Sequence, residues 1–83
     1  MDLRREFGAN LRQIREERKL SQEDLMALAG VHRTQISEYE RGRTAPEVEV
    51  LAKLSCALEV PIGALLAGIG WQEPLSAEPA ERR

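Results

Sequence analysis

In 83 residues, 12 Lys and Arg face 14 Asp and Glu for a net charge of −2, with one Cys and one His. That length fits one domain with a marginal core, so compact helices and a partner subunit are expected. The lone Cys56 and lone His32 leave no internal disulfide or metal-ligand cluster, no apolar run approaches the ~20 residues of a membrane span, and no glycine-rich phosphate loop or nucleophile motif is present. No catalytic residue, cofactor, metal, membrane contact or small-molecule ligand is therefore expected, and the lack of a signal peptide points to the cytoplasm.

Asp2 to Arg18 reads as a first helix. Leu3, Phe7, Leu11 and Ile14 recur at i, i+4, i+8 and i+11 as a core stripe, while Arg4, Arg5, Glu6, Arg12, Glu16 and Glu17 cover the other faces. Ser21, three residues before Asp24, is a capping-box signal. It opens a second helix from Gln22 to Ala29, with Leu25, Leu28 and Ala29 at helical spacing. Gly30 follows where a left-handed backbone favours glycine, and Val31 is an apolar plug. A third helix starts at His32-Arg33-Thr34 and runs to Arg41, stopping at Gly42. Wound at about 3.6 residues per turn, it turns Ile36 and Tyr39 inward and Arg33, Thr34, Ser37, Glu38 and Arg41 outward. That short polar face suits a DNA major groove, whose base edges offer donors and acceptors. Most polar helix faces are only solvated, and the helix alone leaves both possibilities open.

Arg41 to Pro46 forms a loop, closed off by Gly42 and leading into the next helix through Pro46. The fourth helix runs from Glu47 to Leu58 with Val48, Leu51, Leu54 and Leu58 as its core stripe. Cys56 reads as a small reduced residue in or at the edge of the core. Val60-Pro61 breaks the chain, and Ile62 to Ala67 is a short fifth helix ended by Gly68. Ile62, Leu65, Leu66 and Ile69 exceed what one small core needs, so core and interface compete for them. These residues complete a domain over 1–69. From Gly70 the composition turns to proline and acidic or small polar residues without periodicity, and 70–83 reads as a mobile tail. Trp71 is its exception. It suits folding back over the fifth helix, a dimer contact or a protein partner, and nothing in the sequence decides.

The stretch Leu20 to Arg43 carries Leu20-Ser21-Gln22, Leu25, Ala29-Gly30-Val31, Ile36 and Tyr39-Glu40-Arg41-Gly42 in order. Arg43, Pro46, Leu51, Ala57-Leu58-Glu59-Val60 and Leu65-Leu66 continue the pattern. From roughly Phe7 to Gly68 the chain resembles the phage-repressor and Cro family, also called the xenobiotic-response-element family. The resemblance implies an all-α, compact five-helix, lambda-repressor-like domain with a helix-turn-helix. It implies a nucleoid-associated homodimer that binds double-stranded DNA and regulates transcription, as a repressor, at a near-palindromic operator. The alternative is a protein-interaction module, an antitoxin or adaptor, using the same fold with Trp71 and the fifth helix as the contact.

Site roles follow from that resemblance and from reach. Arg33, Thr34, Ser37 and Glu38 are the base-contact candidates: Arg33 for guanine O6 and N7, Thr34 for a thymine methyl or a base edge, Glu38 for cytosine N4 or for excluding wrong sequences. Gln22, Gln35, Arg41, Arg43, Thr44 and the Gly42 amide are the phosphate candidates, with Gln22 at a helix N-terminus. Arg15 is expected to pair with Glu40, tying the first helix to the reading head. Ile62, Leu65, Leu66, Ile69 and Trp71 are the expected dimer contact. Two residues depart from the family pattern: Met26 stands at a usually small position and Tyr39 at a usually aliphatic one. Arg33, Arg41 and Arg43 cluster, while acidic residues gather in the later helices and tail, so a local positive patch is expected on an acidic chain.

Overall fold

The computed structural model of the chain describes residues 2–69. Trp71 and the expected tail lie outside the described residues. Five helices follow in order: α1 (Leu3–Glu17), α2 (Gln22–Ala29), α3 (Arg33–Glu40), α4 (Val48–Leu58) and α5 (Ile62–Leu65), with no strand among the described residues. None of these helices is long and apolar enough to cross a membrane.

The first three helix starts are set by side chains that occupy otherwise unpaired amides. Asp2 caps α1, its carboxylate accepting from the Arg4 amide at 3.1 Å. Ser21 and Asp24 form a complete capping box on α2: the Asp24 amide donates to Ser21 Oγ, and the Ser21 amide donates to Asp24 Oδ2, both at 2.9 Å. His32 caps α3 through Nδ1, which accepts from the Thr34 amide at 3.0 Å.

Phe7, Leu11, Leu25, Val31, Ile36, Tyr39, Leu54, Leu58 and Leu65 form the buried core. α1 lies across α3, α2 packs on α3 and α4, and α5 closes against α1 and α4. Asn10 pins that closure, its Nδ2 donating to the carbonyls of Leu65 at 2.9 Å and Ala67 at 2.8 Å. The α1–α3 crossing depends on Gly8, where a Cβ would fall 2.3 Å from the Tyr39 carbonyl oxygen. Only a residue without a side chain allows the backbones to meet there.

The expected core stripes run further than the core does. Leu3 and Val48 continue the spacing of their helices but stand at the first residue of each, and are 58% and 79% exposed. Leu28 and Cys56 lie together with Lys53 at the open rim of the α2–α4 contact, and both are exposed. On α4 the buried place is taken by Ser55, whose hydroxyl donates to the Ala52 carbonyl at 3.0 Å. The fifth helix is shorter than its apolar run suggests, with Leu66 as its C-cap and Gly68 turning the chain at φ 73°.

Candidate nucleic-acid interface

The helix-turn-helix consists of α2, the turn Gly30-Val31-His32, and α3. Gly30 takes φ 72°, and Val31 drops into the core beside Leu25 and Ile36. Those contacts, with the buried Tyr39, fix the roll of α3 and leave Arg33, Thr34 and Gln35 exposed on its first turn. Ser37 and Glu38, one turn on, are half-buried. Gln35, Glu38, Thr44 and Glu47 border an open concavity of about 400 Å³ beside the helix. Burial, with the nearby Glu47 charge adding to it, lifts the Tyr39 phenol above its ordinary pKa and keeps it neutral.

The far end of α3 is held by a buried network. Arg15 donates from Nε to Glu40 Oε2 at 2.6 Å and from Nη2 to Oε1 at 2.9 Å. Its Nη1 donates to the Leu20 carbonyl at 2.7 Å. One guanidinium thus joins α1, the α1–α2 turn and α3. Arg15 is 8% exposed, and the Glu40 hydrogen bonds hold its pKa above the ordinary value although burial opposes them. Gln22 completes the network, its Nε2 donating to Glu40 Oε1 at 3.0 Å. That bond uses one of the two N–H donors of the amide, so a DNA contact by Gln22 falls to the other N–H or to its backbone amide at the start of α2, both of which suit phosphate.

Two expected site residues take other roles. The Gly42 amide donates to the Tyr39 carbonyl and the Arg43 amide to the Glu38 carbonyl, both at 3.0 Å, while Gly42 takes φ 76°. This is a Schellman end to α3, and it leaves Gly42 no amide to offer a phosphate oxygen. Leu65 is fully buried under α1 and α4 and presents nothing to a second copy. Ile62 and Leu66 are exposed and Ile69 is half-buried against the core. Arg41, Arg43 and Thr44 remain exposed along the loop.

The structure also brings to this loop two residues that sequence reasoning assigned only to a solvated face. Arg4 Nη1 donates to the Arg43 carbonyl at 3.4 Å, and a Cβ on Gly42 would lie 2.7 Å from Arg5 Cγ. Only the tertiary crossing of α1 and α3 reveals this; no local spacing carries it.

A family model described as helix-turn-helix matches residues 11–65. The transcriptional repressor RghR of Bacillus subtilis strain 168 is 40% identical over 68 residues, 81% of this chain and 50% of that protein. The cryptic phage CTXphi transcriptional repressor RstR of Vibrio cholerae is 34% identical over 61 residues, 74% of this chain and 55% of that protein. The chain therefore spans about half the length of these two relatives. Among solved structures, the restriction-modification controller protein C.AhdI of Aeromonas hydrophila superposes with a TM-score of 0.73 at 34% identity, covering 75% of this chain and 94% of that one.

Proposed function

The chain belongs to the phage-repressor and Cro-type helix-turn-helix family of transcription regulators, and from that premise we propose that it is a sequence-specific repressor. It binds double-stranded DNA in the cytoplasm as a homodimer, setting two copies of α3 into successive major grooves about 34 Å apart on a near-palindromic operator. Arg33, Thr34, Ser37 and Glu38 meet base edges. Gln22, Gln35, Arg41, Arg43 and Thr44 meet phosphates and fix the register. Ile62, Leu66 and Ile69 form the apolar part of the dimer contact.

The observation that carries this reading is the rigid mounting of an exposed polar first turn. α3 is fixed by Val31, Ile36 and Tyr39 beneath it and by the Arg15–Glu40 pair at its end, while Arg33 and Thr34 stand free. A reading head needs this combination, because base discrimination depends on geometry held by the scaffold.

Selection of bound sites from a random duplex pool at about 0.15 M salt tests it, since non-specific binding is suppressed there. An enriched near-palindrome with half-sites about one helical turn apart is the expected result. On that site Arg33→Ala with Thr34→Ala removes about 1–3 kcal/mol of discrimination per lost base contact. Unchanged selectivity at fixed salt rejects the assignment of these residues. No enrichment by folded protein rejects the repressor reading in favour of a protein-binding module.

A further inference from the structure

The first turn of α1 lies beside the loop that follows the reading head, and it brings two cations there. Arg4 reaches the Arg43 carbonyl, and the backbone and side-chain stem of Arg5 pack on Gly42, so their positions relative to Arg41 and Arg43 are set by contacts rather than by chance exposure. The ion pairs among the described residues are Arg12–Glu16, Arg15–Glu40 and Lys53–Glu49, so none of these four arginines is paired. The opposing charges on the same stretch of α1 are Asp2, whose carboxylate is engaged as the helix cap, and the half-buried Glu6. Arg4, Arg5, Arg41 and Arg43, without an ion-pair partner among the described residues, thus lie on or beside one glycine turn and make a local positive patch on a chain of net charge −2.

Resting on the DNA-binding reading above, we infer that Arg4 and Arg5 extend the phosphate-binding surface, so that α1 grips the DNA backbone alongside the loop. A guanidinium has five donors, and the single bond from Arg4 to Arg43 leaves four for phosphate oxygens. The Gly42 turn then has a second purpose. A side chain there would push Arg5 away from the loop and separate the two halves of the patch.

Salt dependence tests this, because each phosphate contact adds a slope of about −0.9 to the plot of log affinity against log salt. Arg4→Gln and Arg5→Gln both remove the charge, and Arg5→Gln keeps the stem that packs on Gly42. Lys53→Gln, on α4, is the charge-matched control. Binding is measured to the selected duplex and to the unselected random pool. Each α1 variant should lower the magnitude of the slope by about one, weaken both duplexes by the same factor and leave their affinity ratio unchanged. Arg4→Lys and Arg5→Lys should restore most of the slope. Slopes for both Gln variants that match Lys53→Gln overturn the inference while leaving the repressor reading intact. A wild type that shows no selected duplex overturns both.

Discussion

Arg15 and Glu40 show how one pair of side chains can set the position of a binding helix. Both are nearly enclosed, and each of the guanidinium's three nitrogens has a protein acceptor. Such a pair contributes little net stability against an apolar replacement, but removing one member leaves the other buried and uncompensated. Glu40→Ala should therefore destabilise the fold by about 3 kcal/mol or more, read as a fall in thermal midpoint, whereas Arg15→Met with Glu40→Leu should recover most of the loss. If the double variant stays folded but discriminates DNA sequences poorly, the pair orients α3 rather than merely stabilising it. Asp24 supports a pH prediction. Its hydrogen bonds with Ser21 hold the carboxyl below its ordinary pKa of 3.8. A depressed carboxylate contributes stability above its unfolded pKa and loses it as pH falls through the folded value. The advantage of wild type over Asp24→Asn should thus be present at neutral pH and fade in acid from about 3.8 downward, as followed by thermal melts. An unchanged gap would remove the cap from the acid response.

The helix ends explain part of what the sequence could and could not reveal. α1, α3 and α4 end in the same Schellman arrangement, with Lys19, Gly42 and Glu59 in the left-handed position. At α1 the Lys19 amide donates to the Glu16 carbonyl and the Leu20 amide to that of Arg15; at α4 the Glu59 and Val60 amides donate to Cys56 and Ser55. Only Gly42 announces itself, because glycine is the residue that takes positive φ without penalty. Lys19 and Glu59 are ordinary polar residues by type, and the strain they carry is invisible without coordinates. Glu59→Gly should accordingly stabilise the fold by about 0.5–1 kcal/mol, the relief of the left-handed strain less glycine's extra chain entropy. Gly42→Ala should destabilise it by about 1–2 kcal/mol from backbone strain, with Arg5 displaced besides. Denaturant titrations of the two variants should move in opposite directions, and movement in the same direction would contradict this account of the turns. The starts of α2 and α3 were more legible, since Ser21, Asp24 and His32 act within three residues of where they stand. Gly8 was not, because its reason is the Tyr39 carbonyl, thirty-one positions along the chain.

For the molecule as a whole, apolar spacing identified the five helices and most of the core but not where each stripe stops being covered. Leu3, Val48 and Leu28 have the right period and the wrong surroundings, and Leu65, for which spacing leaves core and interface both open, belongs to the core. Periodicity reports a face, whereas coverage depends on neighbours brought in by the fold. Two of the exposed apolar residues, Leu3 and Leu66, meet at one place, whereas Leu28 lies at the α2–α4 rim. Leu3 and Leu66 border, with Phe7, Pro46, Leu51 and Ile69, an apolar groove of about 170 Å³ between α1, α4 and α5. A chain of net charge −2 has weak general attraction for DNA, so a single reading head with a few base contacts has to supply its own selectivity. Each base contact adds about 1–3 kcal/mol of discrimination, and a second copy on the same site doubles their number without enlarging the domain. Joining two copies through the exposed apolar residues of α5 and this groove would convert two weak half-site events into one strong one. Leu66→Lys places a charge in that contact without touching the buried core. Sedimentation should then shift toward monomer, affinity for a full palindrome should fall by at least tenfold, and affinity for an isolated half-site should stay within about twofold, a difference of less than about 0.5 kcal/mol. Loss of half-site binding in equal measure would instead place Leu66 in the stability of the monomer, and an unchanged sedimentation profile would move the dimer contact to another face.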